Sequence, residues 1–517
     1  MQEYMQDTIA AISTAVSESG IGIIRISGPD AIAAADLLFH SPGGKKSLKH
    51  VKTHTIHYGT ILDSEGRTID EVLVSVMRAP KTYTAEDTVE INCHGGILAM
   101  KKVLDAVLHC DVRAAQPGEF TKRAFLNGRI DLSRAEAVMD LIEARNEYAL
   151  SNSVSQLQGS LFRKIQGLRE RILYQIAHIE ASLDDPENLD FVPHLHEFEN
   201  ELKQWSETIH HMILTSEDGR LAAEGIRTVI VGKPNAGKSS LLNLFLGEER
   251  AIVTEIAGTT RDLLTETINI QGITLLVTDT AGIRETDDTV ERIGVARAEQ
   301  SVRDADLLLW IVDSSVPLDE NDIRIASLLS GRRALVLLNK TDLEEETGIE
   351  DVRRLLKQDD LTLRQKTSES SYSDLEPKGL NSIRNTPDPE SEEGNPDKTI
   401  LHTKERRIDT PDPVILPISA KEGTGYEELV RVLKEMFFHG KLSWNDEVVI
   451  TNTRHKVLLE QAMESLQRVE DSLAAGVSED FFSIDLMSAY EALGAILGEE
   501  VGEDLVDEIF DRFCMGK

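Results

Sequence analysis

Cysteine is scarce in this chain: 517 residues hold three, Cys93, Cys110 and Cys514. Three widely separated thiols supply neither a disulfide framework nor the spacing of a zinc site, which fits a reducing compartment. No apolar run approaches the roughly 18 residues needed to cross a bilayer, and the start MQEYMQDTIAAIS lacks the basic segment of an export signal. Export and membrane spanning are therefore not expected, and a cytoplasmic location is. Positive charge is also in deficit, with 55 Lys and Arg against 90 Asp and Glu, a net charge of −35. A surface of that sign repels nucleic acid as a whole. Any action on a nucleic acid must use a local basic patch or leave much of the binding to a partner. The length implies several domains, and no internal repeat is visible.

What the chain does have is a phosphate-binding loop, far from its start. Residues 232–240 read GKPNAGKSS, after an apolar strand pattern (Arg227 to Gly232) and before a helical one (Ser239 to Asn243). Gly232 and Gly237 let the backbone bend so that consecutive N–H groups face phosphate oxygens, aided by the positive end of the helix. Lys238 is placed for the β- and γ-phosphates and the Ser239 hydroxyl for magnesium, with Asn235, Ala236 and Ser240 completing the loop.

Three later motifs read the rest of a nucleotide. Asp279, Thr280, Ala281 and Gly282 end an apolar strand beginning at Ile273, where a carboxylate can hold magnesium through water and an amide can sense the γ-phosphate. Asn339, Lys340 and Asp342 follow the strand Ala334 to Leu338; a carboxylate at 342 can accept both the ring N–H and the exocyclic amine of guanine. Ser419, Ala420 and Lys421 follow the strand Val414 to Ile418 and can offer a backbone N–H to the guanine carbonyl. Four short motifs in this order, each at a strand end, specify a GTP-binding α/β domain. Between the first two lies a polar switch segment, Ile256, Ala257, Gly258, Thr259, Thr260, Arg261 and Asp262, with Thr254 and Glu255 just before it also assigned to the nucleotide site; Thr260 is the candidate to cap magnesium when a γ-phosphate is present. Ile283 and Arg284 follow Gly282, so the Gln that often orients the attacking water is missing. Glu291 is the nearest downstream acid in the motif; an ordinary exposed helix carboxylate is the alternative.

The stretches GKPNAGKSSLLN, IAGTTRD and DTAGIRETDDTVERIG resemble the translation-factor-related GTPases, and most closely the MnmE (TrmE) family of tRNA-modification GTPases. The resemblance implies that Asn235 ligates potassium beside the phosphates, with Thr254, Ile256 and Thr259 contributing. The cation then supplies charge that other GTPases take from an arginine finger. It also implies that Glu291 orients the water and that two GTPase domains meet face to face.

The flanks carry the same resemblance. Gly22 to Gly28 (GIIRISG), Tyr83 to Ile91 (YTAEDTVEI), His94-Gly95-Gly96 and Pro117 to Leu132 (PGEFTKRAFLNGRIDL) read by themselves as strands and turns of an α+β domain, structural or functional. The family likeness implies a dimerising domain that binds 5-formyl- or methylene-tetrahydrofolate, with contacts at Arg25, Glu90 and Arg129. The family often has Lys where Arg129 stands, which keeps the charge and alters the hydrogen-bond geometry. The chain ends Phe513-Cys-Met-Gly-Lys517. A prenylation signal is not expected, because Gly516 is not aliphatic and Lys517 is an atypical final residue. A stray thiol is the plain reading of Cys514; the resemblance implies a reactive thiol near the folate and makes Lys517 a folate contact. Reactivity would require cations that lower the thiol pKa.

The organisation anticipated is multidomain, α+β and α/β. Residues 1–127 form the folate-type domain, 128–225 and 438–517 the two parts of a discontinuous helical domain, and 226–437 an inserted Ras-like GTPase domain, a mixed sheet flanked by helices. Residues 365–411, rich in Ser, Pro, Glu, Asp and Asn, cannot bury a core and are expected as a disordered insertion. The function the resemblance implies is a homodimeric, potassium-stimulated GTPase acting with MnmG, an FAD- and NADH-using partner, in a heterotetramer or larger complex. Together they would place a (carboxymethyl)aminomethyl-type group on C5 of the wobble uridine of certain tRNAs. Two rivals are a ribosome-assembly GTPase, which should carry a basic RNA-binding module, and a folate-dependent tRNA methyltransferase regulated by GTP.

Overall fold

The alternation of apolar and polar residues along most strands of the first hundred positions builds an open sheet with a main core on one face, and a smaller cluster of Ile9, Ala11, Ala115 and Phe120 covers part of the other. The computed structural model describes residues 7–44, 47–185, 192–248, 265–279, 302–357, 413–438, 449–477, 480–499, 501–511, 513 and 516. It divides into two units, Met1–Ala223 with Asn445–Lys517, and Glu224–Trp444. The sequence puts the corresponding changes at 225/226 and 437/438. The expected insertion at 365–411 lies outside the described residues.

In the first unit, β1 (Ile9–Ile12), β2 (Ser19–Ser27), β3 (Phe39–His40), β4 (Thr55–Leu62), β5 (Thr68–Met77), β6 (Thr88–Gly95) and β7 (Arg113–Ala114) form a sheet in the order β3-β4-β5-β6-β2-β1-β7. All pairs are antiparallel except β1 with β7. Ile24, Ile26, Val72, Val74, Val76, Val89 and Ile91 share a core with Met100, Val103 and Val107 of the helix Ile97–Leu108. Because side chains alternate along a strand, Arg25 and Glu90, which lie between these core residues, point to the opposite face. They sit directly opposite each other in the β2–β6 register.

The rest of this unit is helical. Leu161, Ile165, Leu168, Ile172, Ile176 and Ile179 recur at three and four, as one face of the helix Ser160–Asp184 must. They pack with Phe198, Leu202, Trp205 and Ile209 of Leu195–Glu224, and with residues of two helices from the end of the chain, Thr453–Ala474 and Asp480–Leu497. One core is thus built from segments on both sides of the second unit. Phe510 and Phe513 pack with Leu132, Ala135 and Val138.

The second unit holds β8 (Ile226–Gly232), β9 (Thr265–Ile270), β10 (Ile273–Asp279), β11 (Leu307–Asp313), β12 (Ala334–Asn339) and β13 (Val414–Pro417), in the order β13-β12-β11-β8-β10-β9. Only β9 with β10 is antiparallel. β11 and β12 are buried at every residue, as central parallel strands covered on both faces are. Parallel strands bring the ends of β8, β11, β12 and β13 to one edge, where ligands of such sheets bind.

Candidate functional site

At that edge the separate motifs are joined by hydrogen bonds. Gly232 closes β8, and a side chain there would strike the Ile311 carbonyl of β11. The backbone then turns through Asn235, at φ +65°, to Gly237, at φ +106°, and the helix Lys238–Glu248 begins. Asparagine tolerates the left-handed region, whereas a Cβ at 237 would collide with the Asn339 amide. The Lys238 ammonium donates to the carbonyls of Gly232 (2.7 Å) and Lys233 (2.8 Å). Asn235, Ser239 and Ser240 are exposed, so an amide oxygen and a hydroxyl, both hard donors suited to potassium and magnesium, face outward from the loop.

Asn339 is 2% exposed and bonded at both ends of its amide. Its Nδ2 donates to the Ala236 carbonyl (2.8 Å), and its Oδ1 accepts the Ala420 N–H (2.9 Å). One side chain therefore ties the phosphate loop to the two base-reading segments. Of the backbone N–H groups in the segment Ser419 to Lys421, that of Ala420 serves this internal link. Ser419 Oγ donates to Asp342 at 2.7 Å and accepts the Glu422 N–H. That hydrogen bond, with the positive charge of Lys421 and Lys340, holds the Asp342 carboxyl below its ordinary value. Lys340, at φ +69°, is ion-paired to Asp313 at the end of β11. Burial pushes the Asp313 carboxyl up, and hydrogen bonds from Lys340 and Ser315 outweigh it, leaving the pKa lowered. The arrangement presents an ionised acceptor at 342 and a bent loop of N–H donors on one edge of one sheet.

Thr254, Glu255, Ile256, Ala257, Gly258, Thr259, Thr260, Thr280, Ala281, Gly282 and Glu291 lie outside the described residues, as do Cys514 and Lys517. Asp279 is described only through its backbone, the last residue of β10, paired with Ile230.

The other face of the first unit's sheet, partly covered by Phe120 and Tyr83, carries a second cluster. Arg25 Nε donates to Glu90 (3.0 Å) and Nη1 to the Gly516 carbonyl (3.3 Å), which also accepts from Ser13 Oγ (3.0 Å). The Arg25 guanidinium lies over the Tyr83 ring at 5.4 Å, and that of Arg129 over the same ring at 5.3 Å. Arg129 also donates to the Tyr83 carbonyl (2.9 Å). Tyr83 is held by its hydroxyl on Thr121 (2.8 Å), and the next residue by Asn127, which donates to the Thr84 carbonyl (2.7 Å). Of the three residues named from the sequence, Arg25 and Arg129 thus share one ring, and Glu90 joins them through its ion pair with Arg25. Tyr83, Ser13 and Gly516 were not singled out. Tyr83 stood inside the quoted YTAEDTVEI stretch; Ser13 carried no pattern, because its partner is 503 positions away. Gly516 fits against β1 only without a side chain, since a Cβ would strike the Ile12 carbonyl.

Comparison with known proteins decides the family. Residues 8–129 match the family model described as GTP-binding protein TrmE N-terminus, and residues 132–514 match the MnmE helical domain. Proteins named tRNA modification GTPase MnmE match from end to end. That of Lachnoclostridium phytofermentans is 48% identical over 511 residues, covering 99% of both chains. That of Acetivibrio thermocellus is 42% identical over 516 residues, covering 99% of this chain and all of the relative. The chain belongs to the MnmE family. The helical match in this family encloses residues 224–444 of the second unit, so the nucleotide-type sheet interrupts a helical domain. The chain is a GTPase by family, of multidomain α+β and α/β architecture.

Proposed function

We propose that this chain hydrolyses GTP to drive modification of the wobble uridine of certain tRNAs, as a homodimer working with the FAD- and NADH-using partner MnmG. The observation that carries the nucleotide part is Asn339, which ties the phosphate loop to the base-reading segments on either side of Asp342 and Ser419. A ligand spanning them must have phosphates at one end and a donor-rich base at the other. The loop N–H groups and Lys238 would neutralise phosphate oxygens, and Asp342 would accept two N–H donors from guanine. Glu291 would orient the water. Ser239, Thr260 and, through water, Asp279 would hold magnesium, and Asn235 with Thr254, Ile256 and Thr259 potassium; bound cations supply positive charge as negative charge shifts toward the leaving phosphate.

The cluster at Arg25 suits a folate in its chemistry. Guanidinium groups match an anionic tail, a carboxylate at Glu90 matches the donor edge of a pterin, and an aromatic ring offers a stacking surface. In this reading the one-carbon unit comes from 5-formyl- or methylene-tetrahydrofolate, Lys517 supplies a cation to the folate, and Cys514 acts as a reactive thiol. The group added is of the (carboxymethyl)aminomethyl type at C5 of the base, in a soluble cytoplasmic complex. The acidic balance of the chain, −35, favours shared tRNA binding with the partner over a basic RNA-binding module of its own. It argues against the ribosome-assembly alternative. GTPase assays in potassium and sodium test the mechanism: faster turnover in potassium is expected, and equal rates would remove Asn235 from its role.

A further inference from the structure

Among the described residues, the phosphate loop is held from outside by two segments: Asn339, of a base-reading motif, and the start of the helix Glu320–Leu329, which is part of no nucleotide motif. Pro234 and Asn235, its crest, are exposed, so packing does not fix them. On the far side the loop is held by Asn339 at the Ala236 carbonyl. On the near side stands Lys233. Its ammonium is ion-paired with Asp322 at 2.6 Å and Asp319 at 3.1 Å. Its carbonyl accepts from Lys238 (2.8 Å) and from the Ala236 N–H (3.3 Å). The two acids are the capping box of the helix Glu320–Leu329: Asp319 accepts the Asn321 and Asp322 N–H groups, and Asp322 accepts the Asp319 N–H. The Asp322 side chain is 1% exposed, and the helix is seated in the core through Ala326 and Leu329, beside Val229 and Val231 of β8.

Two carboxylates neutralise one ammonium, so Lys233 does not serve as a phosphate ligand; that charge is left to Lys238. We propose that Lys233 is a positioning residue, which anchors the phosphate loop to the start of the helix Glu320–Leu329 through Asp322 and Asp319. The same segment anchors the other half of the site, because Asp313, just upstream, holds Lys340. The stretch from Asp313 to Asp322 is then a common strut, fixing phosphate-binding and base-reading loops at a set separation. A geometry fixed before the ligand arrives lowers the cost of binding.

This inference rests on the GTPase reading, and the test separates the two. The full chain and the variants K233M, K233R and K233M/D322N are compared for GDP affinity, with a fluorescent GDP analogue, and for GTP turnover. K233M should weaken GDP binding and raise the KM for GTP together by about tenfold, with kcat within about twofold. K233R, which keeps the charge and reach, should stay within about threefold of the parent. K233M leaves Asp322 buried without its cation and lowers the melting temperature. The double variant removes both charges and should regain melting temperature while its GDP binding stays weak. Affinity that recovers with stability would reduce Lys233 to a structural residue and overturn the proposal. So would a folded K233M that binds as the parent does, or a loss confined to kcat. A parent chain that neither binds GDP nor hydrolyses GTP would overturn the nucleotide reading, and this proposal with it.

Discussion

Exchanging Asp342 for Asn should redirect the site from guanine to xanthine. The carboxylate is fixed by Ser419 Oγ at 2.7 Å, and that bond with the nearby Lys421 and Lys340 keeps it ionised below the ordinary carboxylate range. A lowered carboxylate pKa means that base recognition survives mild acid and fails only once the pH falls below the range in which a free Asp would protonate. Guanine offers two N–H donors on one edge. Hydrogen bonds to a charged acceptor contribute about 1.5–3 kcal/mol each. Asparagine can still accept from Ser419 and from one guanine donor, without the charge, and it sets an NH2 group against the exocyclic amine. The loss is roughly a hundredfold to a thousandfold in affinity. Xanthine has a carbonyl where guanine has that amine, so the same NH2 becomes a partner. The assay is displacement of a fluorescent GDP analogue by GDP, xanthosine diphosphate and ADP. D342N should bind xanthosine diphosphate better than GDP, with ADP weak on both proteins. Unchanged GDP affinity in D342N would refute the assignment of Asp342.

Other outcomes follow from named contacts. N339A should lower the melting temperature and raise the KM for GTP, because it leaves the Ala236 carbonyl and Ala420 N–H, both in a buried setting, without their partner, at about 1–3 kcal/mol each; calorimetry and steady-state kinetics read the two effects. R25M should abolish binding of 5-formyl-tetrahydrofolate, followed by calorimetric titration, while leaving GTP turnover intact; retained folate binding would remove the Arg25 cluster from the proposal. Glu136 is buried and bonded to Arg454 (2.7 Å) and His455 (2.7 Å), while Arg454 donates to the Ala495 carbonyl (2.8 Å). Burial pushes its carboxyl up, but the charges and hydrogen bonds of His455 and Arg454 win and hold it at about 2. Its contribution is complete above the usual Glu range and is lost as pH falls toward 2, on the order of 3 kcal/mol in all. Acid unfolding should therefore be shallower for E136Q, which is already destabilised at neutral pH.

Much of the nucleotide site was legible because each motif is local. The phosphate loop, Asn339 with Asp342, and Ser419 each follow a continuous apolar run, and parallel strands of one sheet must deliver their ends to a common edge. Arg25, Glu90 and Arg129 were named through the longer family pattern, and the register that sets Arg25 opposite Glu90 emerges only in the sheet. The links between motifs were not legible. Nothing local in GKPNAGKSS signals that the Lys233 ammonium meets Asp319 and Asp322 almost ninety positions later. The Asn339 bridge to Ala236 and Ala420, and the Ser13 bond to Gly516, likewise depend on tertiary closure. Backbone carbonyls and N–H groups carry no sequence signature, so their partners emerge only in the fold.

The central claim, GTP hydrolysis coupled to wobble-uridine modification, is tested most directly by nucleoside mass spectrometry of tRNA. Samples come from a strain lacking this chain, complemented with the parent or with D342N. The account predicts loss of the C5 aminomethyl-type uridine in the deletion, its return with the parent, and no return with D342N at ordinary GTP. Wobble uridines unchanged by the deletion would contradict it.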